Sequence, residues 1–258
     1  MNLPEVLGPL LDLLLPPACL ACRARITIPS LQGGSLVSRT DILVCQRCSV
    51  GLVPPPSPGC ERCGFPLGTA RPVSGACLQC RDWDDALGRT RAAVLDRGTG
   101  AVMVRGLKYH GWSELVHGMG RRMVQQGRGR VLFPGSLVVP IPTTPRRRAR
   151  RGYDQAELLA RAVASDSGNP LVSALIRRGG GRSQVGLHPQ ERWGNVKDAF
   201  RVDRAGIRKI DGEKVVLVDD VLTTGATLCS AARTLIAAGA ARVDGLTFAR
   251  AHPDLDTI

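Results

Sequence analysis

Four C-x-x-C pairs crowd into the first third of the chain: Cys19/Cys22, Cys45/Cys48, Cys60/Cys63 and Cys77/Cys80. Two intervening residues let both thiolates of a pair turn toward one ion, and two pairs supply the four sulfurs of a tetrahedral zinc site. The spacing therefore predicts a small module knit by two structural zinc ions. Consecutive pairing, first with second and third with fourth, gives two successive ribbons; an interleaved cross-brace, first with third, is the alternative. An iron–sulfur cluster would satisfy the same thiols. Repeated C-x-x-C pairs suit a reducing cytosol, where thiols stay free to bind metal, better than a secreted disulfide framework. Four copies in a segment without a thioredoxin-like pattern also fit structural zinc better than redox catalysis. The stretch LVPPPSPGC, 52–60, reads as a stiff connector between the two halves of the module. A segment of this size builds too little apolar core to hold itself, and metal supplies the missing free energy. The ninth cysteine, Cys229, reads as a small core residue.

The remaining length allows one medium domain, so the 258 residues divide into a Cys-rich module over 1–85 and a second domain over 86–258. Hydrophobic residues make up 43% of the chain but aromatics only 3%, so the core must be aliphatic, and exposed rings on which nucleic-acid bases stack are scarce. The net charge of +13 suits a polyanionic partner such as phosphate, pyrophosphate or nucleic acid; a general bias toward arginine accounts for it equally well. An apolar run at 6–15 lacks the basic leader and small-residue cleavage site of a signal peptide and is too short to span a bilayer. It reads as a short helix with Leu7, Leu10, Leu11 and Leu14 on one face, and the chain is not expected to be an integral membrane protein.

From Arg89 onward the pattern alternates. RTRAAVL reads as a strand, and 100–109 and 113–126 as helices. SLVVPIP, 136–142, reads as a short buried strand, and 154–165 as a helix capped by Asp154 with Glu157 three residues on. Residues 171–178 and 199–202 are weaker strand candidates, KVVLVDD is a buried strand, 226–240 a helix stopped near Gly239, and 241–249 a last strand. Strands alternating with helices predict an α/β domain with a mostly parallel sheet.

The run VVLVDDVLTTGAT, 215–227, joins an apolar strand to two acids and a hydroxyl-rich turn that opens a helix. Carboxylates such as Asp219 and Asp220 accept hydrogen bonds from the vicinal hydroxyls of a ribose or bind the waters of Mg²⁺. Free N–H groups at a helix start attract an anion, Thr223, Thr224 and Thr227 add hydroxyls, and Gly225 lets the backbone approach a phosphate. The acids hold a sugar and the turn holds its phosphate. Neither a Walker P-loop nor a G-x-G-x-x-G opening a helix is present.

LVDDVLTTGAT resembles the 5-phosphoribosyl 1-diphosphate (PRPP) motif of type I phosphoribosyltransferases. The resemblance implies that Asp219 and Asp220 meet the ribose hydroxyls or Mg²⁺, and that Thr223, Thr224, Gly225, Ala226 and Thr227 wrap the 5′-phosphate. The C-x-x-C pairs, GLKYHG at 106–111, VPIPTTPRRRARRGYDQAELLA at 139–160 and SQVGLHPQERWGNVKDAF at 183–200 extend the likeness to the ComF family (competence protein F, with the related GntX proteins) over about residues 12–250. Asp154 departs from that pattern, which often carries Asn there. The implied fold is a type I phosphoribosyltransferase-like parallel sheet flanked by helices and preceded by a double zinc ribbon. The resemblance also implies a pyrophosphate loop around Pro140 to Thr144, with Pro142 and Thr143 in it.

Arg146, Arg147, Arg148, Arg150 and Arg151 place five guanidinium groups within six positions just beyond that loop. Their planar forks suit phosphate, and Arg151, within RGYDQ, is the preferred contact; a solvated basic turn or a nucleic-acid contact are the other readings of the run. Lys108 is a second basic candidate, whereas His110 and His117 read as surface or helix-face residues. The Gly-rich 176–188 reads as a loop able to fold over substrate or as an ordinary connection, and the zinc module is the candidate cover for the site. The expected chemistry is pentosyl transfer from PRPP, with Mg²⁺, to an acceptor the sequence does not specify; positioning and stabilisation of the leaving charge suffice, so no base is assigned. The alternative is a non-catalytic PRPP-sensing or nucleic-acid-binding accessory protein. The family name implies partners in DNA uptake during natural transformation, and the free-thiol pattern implies a cytoplasmic location.

Overall fold

The computed structural model describes residues 18–26, 43–67, 76–178 and 199–251. Among these, four strands form one parallel sheet: β1 (Thr90–Leu95), β2 (Leu137–Pro140), β5 (Lys214–Leu222) and β6 (Arg242–Arg250), in the order β1-β6-β5-β2. Two short strands, β3 (Leu175–Arg177) and β4 (Phe200–Val202), pair antiparallel outside that sheet. The helices are α1 (Gln46–Val50), α2 (Gly98–Tyr109), α3 (Leu115–Gly127), α4 (Pro145–Arg151), α5 (Gln155–Ser167), α6 (Arg204–Ile210) and α7 (Ala226–Ala237). None is long and apolar enough to cross a membrane. The apolar run at 6–15 and most of the Gly-rich 176–188 lie outside the described residues.

The strands are continuous apolar runs because helices cover both faces of the sheet. Alternate residues feed opposite layers. Leu137, Val139, Val215 and Leu217 join Leu228, Ala231, Ala232 and Leu235 of α7 on one side. Val138, Val216 and Val218 join Met119 and Met123 of α3 and Leu159 and Val163 of α5 on the other. With few aromatics, aliphatic side chains and small residues at close approaches do the packing. Gly120 of α3 is one such approach: a Cβ there would lie 2.6 Å from the Cβ of Ala162 on α5. Gly120→Val is therefore expected to push the two helices apart and destabilise by about 2–4 kcal/mol, read as a lower urea midpoint at unchanged slope.

Helix ends follow their sequence signals. Asp154 caps α5 by accepting the N–H groups of Ala156 and Glu157, and Gly168, at φ 76°, ends it. The arginine run is helical, not the solvated turn that is one reading of its sequence. Thr144 accepts the N–H of Arg147, Pro145 sits in the first turn, and Gly152 at φ 81° closes a seven-residue helix, α4. Pro145 and the capping hydroxyl outweigh the repulsion of neighbouring arginines.

The Cys-rich segment is not an appendage. Cys60, Cys63, Cys80 and Trp83 belong to the same buried cluster as Leu217 and Leu228. The first half of the module meets the opposite layer, where Leu52 is buried, Leu20, Leu43 and Val44 pack partly buried, and Arg122 of α3 donates to the Ser49 carbonyl at 3.2 Å.

Candidate functional site

β2 stops at Pro140, opposite Val218, whereas β5 runs on beside β6 to Leu222. Asp219 and Asp220 thus lie within β5 rather than at its end, at the point where its other neighbour has left. The chain leaving β2 leads to α5 on one face, and the chain leaving β5 enters α7 on the other. Divergent exits of this kind open the crevice in which open α/β sheets bind ligands.

The two acids are crowded. The Asp220 N–H donates to Asp219 Oδ1 at 2.8 Å, and Lys108 Nζ pairs with Asp220 Oδ1 at 3.1 Å. Burial, reinforced by the Asp220 charge, pushes the Asp219 carboxyl up to about 7, although the Asp220 N–H, Lys108 and Arg177 oppose the shift. Burial works against the Lys108 ammonium, but Asp220 and then Asp219 outweigh it and hold its pKa above the ordinary value. Lys108 therefore faces the acids, and its recorded ion pair is with Asp220 rather than with the Pro142–Thr143 loop.

After Leu222 the backbone turns through Thr223, which is exposed, and Thr224, which is half-buried, into Gly225 at φ 84°. Gly225 is the N-cap of α7 and offers no side-chain cap; the Thr224 hydroxyl accepts the Ala226 N–H at 3.4 Å, and Thr227 is partly exposed in the first helical turn. The turn thus joins hydroxyls, a left-handed glycine and the positive end of a twelve-residue helix, the makings of an anion cradle. Trp83 closes its underside. The indole N–H donates to the Thr224 carbonyl at 2.8 Å, and the indole fills the space that a Cβ on Gly225 would need.

Across the crevice, the Thr143 N–H donates to Asp154 Oδ2 at 2.7 Å, so one carboxylate braces the Pro142–Thr143 loop and caps α5. Burial raises the Asp154 pKa against the pull of these N–H groups. Arg151 Nη1 donates to Gln155 Oε1 at 2.8 Å, and its guanidinium lies 5.5 Å from the centre of the Tyr109 ring. Tyr153 donates to the Leu107 carbonyl at 2.6 Å. RGYDQ and GLKYHG, separate in sequence, are one packed unit beside the acids.

Each set of four cysteines converges as consecutive pairing predicts: Cys19, Cys22, Cys45 and Cys48 in one group, Cys60, Cys63, Cys77 and Cys80 in the other, with all sulfurs of a group within 4.8 Å of one another. Sulfur–sulfur distances of 3.7 Å for Cys22–Cys45, 3.7 Å for Cys60–Cys80, 3.6 Å for Cys63–Cys77 and 3.8 Å for Cys77–Cys80 exclude disulfides. A tetrahedron with Zn–S bonds of about 2.3 Å has edges of roughly 3.8 Å, so both groups have the donor set and the spacing of a Cys₄ zinc site. Within each group one thiol ionises readily. Burial opposes the thiolates of Cys19 and Cys60, but backbone N–H groups lower them to about 6 and about 7. Burial and neighbouring sulfurs push Cys48 up to about 12 and raise Cys80 as well.

Two family models match the chain: a double zinc ribbon domain over residues 10–81 and a phosphoribosyl transferase domain over 149–255. The DNA utilization protein YhgH of Salmonella typhi is 30% identical over 238 residues, covering 90% of this chain and 96% of that protein. Competence protein ComFC of Bacillus subtilis (strain 168) is 25% identical over 244 residues, covering 90% and 94%. The chain belongs to the ComF family. Its architecture accordingly joins a phosphoribosyltransferase domain to a double zinc ribbon. Among solved structures, the allosteric regulatory enzyme of purine biosynthesis overlaps 56% of this chain and 30% of its own length at 19% identity, with a TM-score of 0.38.

Three residues of this ComF-family chain stand at the site without having been legible in the sequence. Arg177, on β3, donates to the Pro142 carbonyl at 3.5 Å, stacks on Phe200 and is attracted by Asp219. Arg250, buried on β6, donates to the Cys63 carbonyl at 2.6 Å and approaches the Cys63 sulfur at 3.6 Å. Trp83 is the third. In sequence each is one Arg among many or one Trp after a cysteine pair, and only the sheet order brings them in.

Proposed function

We propose that this ComF-family protein binds PRPP in the crevice between β2 and β5 and transfers its phosphoribosyl group to an acceptor nucleophile. The observation that carries this reading is the juxtaposition of Asp219 and Asp220 with the Gly225 turn at the start of α7. The two carboxylates receive the ribose 2- and 3-hydroxyls. Thr223, Thr224, Gly225, Ala226 and Thr227 enclose the 5′-phosphate. The Pro142–Thr143 loop, with Arg177 against its carbonyl, takes the diphosphate, with Lys108 and Arg151 as further basic contacts. Asp219 and Asp220 are the acids that would hold the waters of a bound Mg²⁺, which would neutralise charge on the leaving group.

In the reaction, the bond from the anomeric carbon to the diphosphate oxygen breaks and the diphosphate keeps the electron pair. The acceptor forms the new bond to that carbon and gives its proton to solvent. The chain's own residues hold the sugar and the leaving group and need supply no covalent intermediate. We further propose that residues 1–85 and 86–258 are the two modules, that the zinc module supports the site from below the turn, and that the protein works in the cytoplasm.

Calorimetric titration of PRPP with Mg²⁺ into the zinc-loaded protein tests the pocket. Saturable binding is expected, with at least a hundredfold loss in a folded Asp219→Ala/Asp220→Ala variant; absence of binding to the intact protein would refute the reading. A second reading rests on the exposed Arg146, Arg148 and Arg150 of α4 and on relatives named for DNA utilization and competence. In it the pocket senses PRPP without turnover, and the protein contacts nucleic acid. Pyrophosphate release across a panel of acceptors favours the enzyme, and salt-dependent DNA binding without release favours the accessory protein.

A further inference from the structure

The second Cys₄ site and the turn after β5 are joined by a short chain of contacts. Trp83 follows Cys80 by three positions, and its N–H donates to the Cys80 carbonyl at 3.2 Å. Its indole N–H reaches the Thr224 carbonyl, 141 residues away in sequence, at 2.8 Å. The indole lies under Gly225 so closely that no side chain fits there. Arg62, between Cys60 and Cys63, ties the segment down by donating to the carbonyls of Cys80, Trp83, Asp84 and Leu87 at 2.8–3.4 Å. Asp84 then pairs with Arg233 of α7 at 2.8 Å, so the same segment grips the helix that the turn opens. Among the described residues, the first Cys₄ site meets the fold elsewhere, at the Leu52 side of the core and Arg122 of α3.

We propose that Trp83 is a positioning residue through which the second zinc site sets the shape of the Thr223–Thr227 turn, so that phosphate affinity depends on that site and not on the first. The last step rests on the PRPP reading above; the mechanical link does not. The logic is geometric. A left-handed turn that presents N–H groups to an anion must hold its own carbonyls away from it. The indole N–H takes the Thr224 carbonyl from below, and the ring blocks the turn from collapsing inward. Four thiolates on one metal fix the segment that carries the indole, so order at the metal becomes order at the turn.

Hydrogen exchange followed by mass spectrometry tests the link without any ligand. Trp83→Phe keeps a ring in place and removes the indole N–H. With zinc content equal to wild type, amides at 223–227 are expected to exchange about tenfold faster while those of α3 are unchanged, in proportion to one lost hydrogen bond. Cys22→Ser, in the first site, should leave exchange in the turn unchanged. In the ligand arm, Trp83→Phe should weaken PRPP and ribose 5-phosphate about tenfold and leave inorganic pyrophosphate unchanged, a split that a general loss of stability would not give. Unchanged exchange in the Trp83→Phe turn, or a rise spread evenly over the whole domain, overturns the proposal. Faster exchange confined to the turn in a protein that never binds PRPP upholds the link and removes the PRPP reading instead.

Discussion

Cys80→Ala is expected to abolish cooperative folding, whereas Cys22→Ser is expected to leave a cooperative transition with one zinc fewer. The cause is where the two sites sit. Cys80 is fully buried in the cluster that also holds Leu217, Leu228 and Ala231, so its loss removes a zinc ligand and opens the core of the sheet. Structural zinc contributes about 10–16 kcal/mol in small zinc modules, and a domain's whole net stability is about 5–15 kcal/mol, so the second site carries enough free energy to decide whether the protein folds. Cys22 is exposed, and its site leans on one side of the core through Leu20, Leu43, Val44 and Leu52. Zinc content and thermal denaturation by circular dichroism measure both effects. A Cys80→Ala protein that melts at the wild-type temperature would show that the ribbon is dispensable to the core.

The second large effect concerns Asp219. Its folded pKa, about 7, lies above the ordinary carboxylate value of 3.8, so the folded protein holds this proton more tightly than the unfolded chain does. Stability linked to the group is therefore fully present below about pH 4 and is lost as pH rises through 7. Asp219→Asn carries the neutral form at every pH. It should melt several degrees above wild type at pH 8, for a gain of about 1–2 kcal/mol once the response of Lys108 and solvent is discounted, and the gain should vanish near pH 4. The same variant should lose PRPP–Mg²⁺ affinity at least a hundredfold, because an amide cannot replace the carboxylate's acceptor geometry and charge. In wild type, PRPP affinity should fall as pH drops below 7, where the proton competes. A variant no more stable than wild type at pH 8 would mean that the two carboxylates are not under strain from one another.

Most of the α/β frame was legible because its signals are local. Apolar runs gave β2, β5 and β6; the 3.6-residue spacing gave α2, α3 and α5; Asp154 and Gly239 marked helix ends. Cysteine spacing gave both metal groups, and contact between sulfurs distinguished consecutive pairing from the cross-brace. The acids and the Thr-rich turn were visible because strand, acids, turn and helix are contiguous. What the sequence hid is non-local. Nothing in LIRR reveals an antiparallel pair standing off the main sheet, and nothing in FARA reveals that Arg250 ends beneath a zinc ligand. In the arginine run, charge density masks a short helix with a good cap. Trp83 is invisible as a site residue because its partner, Thr224, is 141 residues away in sequence and only the folded arrangement brings the two together.

That sheet order has a consequence for how the chain comes into being. Among the described strands, β5 and β6 occupy the middle of the sheet and are the last to leave the ribosome. Until they emerge, β1 and β2 are edges with nothing between them, and the second ribbon lacks both Arg250 and the hydrophobic bed on which its cysteines lie. At roughly 5–20 residues per second, the ribbons are exposed for many seconds before that support arrives. The ribbons are thus made well before their support, and zinc present during synthesis is expected to give a higher yield of folded molecules than zinc added afterwards.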